Sequence, residues 1–162
     1  MQEKDQLMPS TESKPFTPRQ EQIGSVVIKN LSRFNTWLFR VSSGRLGARM
    51  PGGQPVLLLT TIGRKSGQPQ TAPLLYLKDG DRYVVVASKG GMSHHPLWFK
   101  NLEANPRVEV EVGNEKLAMT ARAATVAEKA VLWPKLVAMY PSYADYQKRT
   151  TREIPVVLLM TR

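Results

Sequence analysis

With 162 residues, 41% of them apolar and 22% charged, the chain has material for one compact domain and no room for a second catalytic one. The lack of cysteine excludes disulfides, thiolate nucleophiles, iron–sulfur clusters and zinc ribbons, and leaves metal chemistry to His94 and His95. The net charge of +10 is unevenly placed: residues 22–78 carry Lys29, Arg33, Arg40, Arg45, Arg49, Arg64, Lys65 and Lys78 and no acid, a stretch suited to nucleic acid, an anionic membrane or a polyanionic small molecule.

Residues 1–21 mix both charges with three prolines and hold no apolar run of signal-peptide length, so they are expected to be a mobile tail ahead of one domain at 22–162. No window approaches the roughly 20 apolar residues of a membrane span, and the chain is expected in the cytoplasm, soluble or on a surface. Over 23–41, Ile23, Val27, Leu31, Phe34, Leu38 and Val41 recur at helical spacing with Lys29, Arg33 and Arg40 elsewhere on the wheel. Two readings stay open for this basic helix: a cap on a barrel end, or a peripheral anchor on an anionic membrane through its basic rim and Trp37. Residues 43–54, with four glycines and Pro51, read as a linker.

Residues 55–62, 71–77 and 82–88 read as three antiparallel strands joined by the 63–69 turn and by Asp79-Gly80. Gly90-Gly91 breaks the ladder before a short helix at 96–104, which Asn105-Pro106 ends. Strands are expected again at 107–112 and 116–123. A helix then starts at Thr125, with Glu128 completing a capping box, and Pro134 should kink or interrupt it before a last strand at 154–160. Six short strands in meander order with two inserted helices exclude a doubly wound parallel sheet and fit a small antiparallel barrel.

Several catalytic patterns fail. Gly63-Arg64-Lys65-Ser66 lacks the glycine spacing of a phosphate loop, no Gly-x-Gly-x-x-Gly follows a strand, and no serine hydrolase elbow is present. Adjacent His94 and His95 would diverge as metal ligands and read as solvent-exposed loop residues, with no metal expected. What remains is the 63–69 turn, where two glycines allow positive φ and consecutive N–H groups can form a nest for anionic oxygens beside Arg64, Lys65 and Ser66. A second cluster joins Ala87-Ser88-Lys89-Gly90-Gly91 to Pro96-Leu97-Trp98-Phe99-Lys100-Asn101-Leu102. A third is Tyr140-Pro141-Ser142-Tyr143-Ala144-Asp145-Tyr146, whose tyrosines recur every three residues and would form a stripe on a helical turn, either packed in a core or walling a pocket.

With residues 59–67, these clusters in order resemble the deazaflavin-dependent nitroreductase and quinone reductase family of actinobacteria, from about residue 23 to the C-terminus. The resemblance implies an α+β, mainly β fold: a six-stranded antiparallel split β-barrel like those of flavin reductases and pyridoxamine-phosphate oxidases. It implies an oxidoreductase passing hydride from reduced coenzyme F420 to quinone-like, nitro-aromatic or other activated unsaturated acceptors. By motif, Arg64, Lys65 and Ser66 would meet the coenzyme's phosphate and glutamate tail, and Gln70, Thr71, Ala72, Pro73, Leu74 and Leu75 would run beside it. Val86, Ala87, Ser88 and Lys89, with Leu97, Trp98, Phe99, Lys100 and Asn101, would cup its ring. Tyr140, Tyr143 and Tyr146 would line the acceptor site, with Tyr143 and Ser88 as candidate catalytic donors. The family carries arginine after the Gly-Gln-Pro turn and tyrosine after the Pro-Leu pair, whereas this chain has Gln70 and Leu75, with Tyr76 one position late and so on the opposite strand face. The alternatives are a flavin mononucleotide enzyme on the same barrel, or a noncatalytic basic module on membrane or nucleic acid.

Overall fold

The computed structural model describes residues 13–162. Six antiparallel strands close into a barrel: β1 (Val56–Ile62), β2 (Pro69–Asp79), β3 (Arg82–Val86), β4 (Arg107–Val112), β5 (Glu115–Ala123) and β6 (Val156–Thr161). The order is β1-β2-β3-β6-β5-β4, so the expected meander holds within each half, while β4 lies beside β1 and β6 beside β3. Closure leaves no free edge, the usual template for unwanted strand pairing.

Period-2 alternation divides the apolar residues between two cores. Leu57, Leu59, Val85, Val110, Met119, Val157 and Leu159 fill the barrel, and Trp98, Phe99 and Leu102 of α2 (Leu97–Ala104) plug one end. Val84, Val86, Val156 and Leu158 face outward, where α3 (Val126–Met139) and α4 (Ser142–Arg149) cover them with Leu132, Leu136 and Tyr143. Pro134 does not interrupt α3. The helix forgoes the N–H that would bond the Ala130 carbonyl, and burial of Leu132 and Leu136 on either side holds the two halves in line.

The first helix, α1 (Pro18–Val41), begins five residues before the expected start. Thr17 caps it reciprocally with Gln20, and Pro18 stands at its first position. Pro18–Glu21 of the expected tail are therefore helical, and residues 1–12 lie outside those described. This helix turns the wrong way for a core element. Only Phe39 is buried, whereas Ile23, Val27, Leu31 (65% exposed), Phe34 and Trp37 (59%) face outward. Apart from Phe39, the contacts of its inner side are made by polar or small residues. Glu21 accepts from the Ser93 N–H and hydroxyl at 2.6 and 2.7 Å, Met92 packs on Gly24, and Arg40 donates to Glu111 at 2.8 Å and Thr71 at 3.3 Å.

Candidate coenzyme site

The strand registers bring every loop singled out above to one end of the barrel. The β1–β2 turn, the end of β3, the start of β4 and the start of β6 all lie there, because Ile62 pairs Pro69, Thr60 pairs Glu109 and Val86 pairs Val156. The opposite end carries the tight Asp79–Arg82 turn and, with Met160 and Thr161, an open depression of roughly 440 Å³ that contains no candidate residue.

In the basic turn, Gly67 takes φ +68°, and its N–H closes on the Gly63 carbonyl at 2.7 Å. Gly63 has no positive φ; a Cβ there would strike the Ser66 hydroxyl at 2.5 Å, so this glycine provides space. The nest is also narrower than expected. The N–H of Arg64 is taken by Asn101 Oδ1 at 3.2 Å and that of Gly63 by the Gln68 carbonyl, which leaves Lys65 and Ser66 as adjacent N–H groups with no acceptor among the described residues. Exposed Arg64 and Lys65 side chains flank them.

Buried Asn101 holds this turn to α2: besides Arg64 it reaches Thr61 at 3.1 Å and Gln70 Oε1 at 3.2 Å. Along β2, Thr71 shares a 2.7 Å hydroxyl contact with Thr60, Ala72 and Leu74 pack toward the barrel, Pro73 pairs Leu58, and Leu75 packs toward α3 and α4. Tyr76 enters the barrel, its ring edge-on to Tyr83 at 5.3 Å, on the face opposite Leu75 as expected. On α2, Leu97 and Lys100 reach the surface, while Trp98 and Phe99 belong to the barrel plug and can serve a ligand only as a floor.

The loop after β3 is conformationally costly. Lys89, Gly90 and Gly91 take φ of 45°, 64° and 78°, a left-handed run that includes a non-glycine residue. A Cβ at Gly91 would meet the Tyr146 carbonyl at 2.6 Å, so the loop lies directly against α4. Val86, Ala87 and Ser88 are buried below it. Of the histidines, His94 is an exposed loop residue as expected, and His95 departs from expectation. His94 pairs with Glu21 and Lys89, while His95 is partly buried, stacks on Phe99 at 5.0 Å and accepts from Arg152 at its Nδ1. Burial, and then Arg152, push the His95 ring below its usual range, keeping it neutral.

The tyrosines meet, but not as one helical stripe. Tyr140 ends α3 in extended backbone, and only Tyr143 and Tyr146 lie on α4. Their rings still cluster, with Tyr140–Tyr143 centroids at 5.0 Å and the Tyr140 and Tyr146 hydroxyls 3.3 Å apart. Tyr143 is 4% exposed, and its hydroxyl has no partner among the described residues. Burial raises its pKa strongly, so it stays a neutral donor across the physiological range.

A closed barrel with paired open amides, a cationic rim and a tyrosine cluster at one end has the chemistry to suit an anionic, ring-bearing small molecule. The chain belongs to the F420H(2)-dependent quinone reductase family, whose model matches residues 31–161. It is 44% identical over 135 residues to an F420H(2)-dependent quinone reductase of Mycobacterium tuberculosis, covering 82% of this chain and 91% of that protein. Among solved structures it is similar to an F420-H2 dependent reductase, FDR-A, at 42% identity and TM-score 0.60 over 65% of this chain and 93% of the other. A domain-swapped dimer aligns at 34% identity and TM-score 0.62 over 87% of this chain and 96% of that one. The protein is an F420-dependent reductase, with coenzyme F420 as its cofactor. The residues present fit that group: a tail with a phosphodiester and several carboxylates needs N–H donors and cations together, as Lys65, Ser66 and Arg64 offer.

Proposed function

We propose that the protein reduces quinones, and more weakly nitro-aromatics, at the basic end of the barrel. Arg64, Lys65 and Ser66 hold the coenzyme tail, Gln70 to Leu75 run beside it, the Ser88–Lys89 segment borders its ring, and the tyrosine cluster receives the acceptor. The observation that carries this reading is the pair of open N–H groups at Lys65 and Ser66 between exposed cations. When bound, the reduced coenzyme supplies two electrons as hydride. The chain itself binds, orients and excludes water. Tyr143 presents a free neutral hydroxyl to an acceptor oxygen gaining negative charge, and Ser88 is the second donor. Leu75 stands where the family pattern carries tyrosine and packs against the outer core that includes Tyr143. The pocket is one hydroxyl short there, which favours quinones over the more polar nitro group.

Single-turnover kinetics with reduced coenzyme and menadione test these roles separately. Lys65→Ala should weaken coenzyme binding by roughly tenfold or more at low salt, less at high salt. Tyr143→Phe should slow hydride transfer by roughly tenfold or more with coenzyme affinity intact. Unchanged affinity in the first variant moves the tail elsewhere; unchanged rate in the second leaves Tyr143 a packing residue and shifts the donor role to Ser88.

We also infer that α1 docks on anionic membrane, because its apolar face points outward and Lys29 and Arg33 border it, the pattern of an interfacial helix. That would place the enzyme beside lipid-soluble quinones, on the inner face of the cell membrane. Co-sedimentation should favour vesicles containing phosphatidylglycerol over neutral ones and be lost in Leu31→Glu. Equal recovery with both, or self-association in light scattering that Leu31→Glu abolishes, would overturn the membrane reading.

A further inference from the structure

Arg152 lies in the segment between α4 and β6, outside every motif discussed so far. Its backbone is fixed from two sides: Gln147 donates to its carbonyl at 2.9 Å, and its own N–H reaches the Thr150 hydroxyl at 3.3 Å. From there the guanidinium reaches under the loop after β3. Nε donates to the Met92 carbonyl at 2.8 Å, Nη1 to the Ala87 carbonyl at 3.2 Å and to His95 Nδ1 at 3.0 Å, and Nη2 to the Ser88 carbonyl at 2.6 Å. Four of its five N–H groups thus meet acceptors on residues 87–95.

Every one of those acceptors is neutral. Among the described residues no carboxylate lies within ion-pair distance of Arg152, and burial lowers its pKa with only Glu21 pulling the other way. Here the charge is left over, next to Lys89, Arg149 and Lys100.

The geometry of the peptide plane gives the grip its consequence. In a trans peptide the C=O and the next N–H point in opposite directions, and the described residues contain no cis bond. With the Ala87 and Ser88 carbonyls drawn to Arg152, the Ser88 and Lys89 N–H groups face away from it. Neither has an acceptor among the described residues. The left-handed φ of Lys89 is the cost of this arrangement, and Arg149, bonded to the Gly90 carbonyl at 3.1 Å, holds the next turn.

We propose that Arg152 is a positioning residue for the coenzyme ring: its guanidinium pins the Ala87 and Ser88 carbonyls so that the Ser88 and Lys89 N–H groups are preorganised toward the carbonyl oxygens of the bound ring. The unpaired positive charge behind them favours the added electron density of the reduced ring. The proposal rests on placement of the coenzyme at this barrel end. A flexible ammonium cannot span four acceptors, so lysine is no substitute for the planar fork.

The test measures fluorescence titration with oxidised F420, thermal midpoints, and steady-state kinetics with menadione for wild type, Arg152→Ala and Arg152→Lys. Arg152→Ala should bind F420 at least tenfold more weakly and lose kcat, with KM for menadione unchanged. Millimolar ethylguanidinium should restore binding in Arg152→Ala and leave wild type unaffected. Arg152→Lys should fold like wild type yet bind F420 several-fold more weakly. The amide proton shifts of Ser88 and Lys89 in coenzyme-free protein should move in both variants. The proposal is overturned if either folded variant binds F420 within twofold of wild type, or if Arg152→Ala loses binding only in step with a collapsed thermal midpoint and gains nothing from ethylguanidinium. Failure of wild type to bind F420 would instead sink the site placement, while the amide shifts would still report the grip.

Discussion

The helices α1 and α3 begin alike and end in opposite roles. Each starts at a threonine whose hydroxyl accepts from the third residue on, with Gln20 or Glu128 reaching back, and each carries an apolar stripe. Yet α3 buries Leu132 and Leu136 on the outer face of β3 and β6, while α1 shows Leu31 and Phe34 to solvent and holds the barrel through Glu21 and Arg40. Local chemistry makes a helix; what the neighbouring strands leave uncovered decides which face turns in. The outer faces of β3 and β6 offer Val84, Val86, Val156 and Leu158, whereas α1 crosses a surface of Thr71, Glu111 and Ser93 that only a polar face can meet.

The contrast can be broken by mutation. Leu136→Ala removes a fully buried side chain and should lower unfolding stability by about 2–5 kcal/mol in urea titration, through lost transfer energy plus the cavity left behind. An intermediate effect should come with alkali at α4, which packs beside α3. Burial pushes the Tyr146 hydroxyl up to about 12 and Tyr143 further in the same direction, whereas unfolded phenols ionise near 10. Between those values the unfolded chain releases protons that the folded chain keeps, so the stabilisation is complete below about pH 10 and declines as pH rises toward 12. A urea midpoint that stays flat from pH 10 to 12 would mean that the cluster ionises as freely folded as unfolded. The smallest effect belongs to α1: Leu31→Ala should change stability by no more than about 0.5 kcal/mol. A loss there as large as at Leu136 would mean that the apolar face of α1 is covered in solution.

How much of this was legible in the sequence follows the range of the forces involved. Strands with a buried face, the Thr125–Glu128 box and the tight turn at Asp79-Gly80 are local, and all are readable. The Thr17–Gln20 box carries the same signal, with Pro18 at the favoured first position, but it sits in a segment whose mixed charges and prolines have the composition of a tail. The outward turn of α1 and the pairing of β1 with β4 depend on distant partners that no periodicity reports. At the site, the basic turn announced itself by composition, but Asn101's hold on Arg64, Thr61 and Gln70 did not. Arg152 had no local mark at all; its importance arises only when the β6 approach passes beneath the loop that follows β3.

The way the barrel closes also sets an order of events during synthesis. Residues 56–62 must wait for residues 107–112, and residues 82–86 for residues 156–161, before their edges are paired. The first three strands can form their hairpins as soon as they emerge from the ribosome, but the β1 edge stays open until residues 107–112 have been made and the β3 edge until residues 156–161 have. The end bearing the Ser88–Lys89 amides matures last of all. Its arginine precedes β6, so the loop after β3 takes its strained shape only once residue 152 has been made.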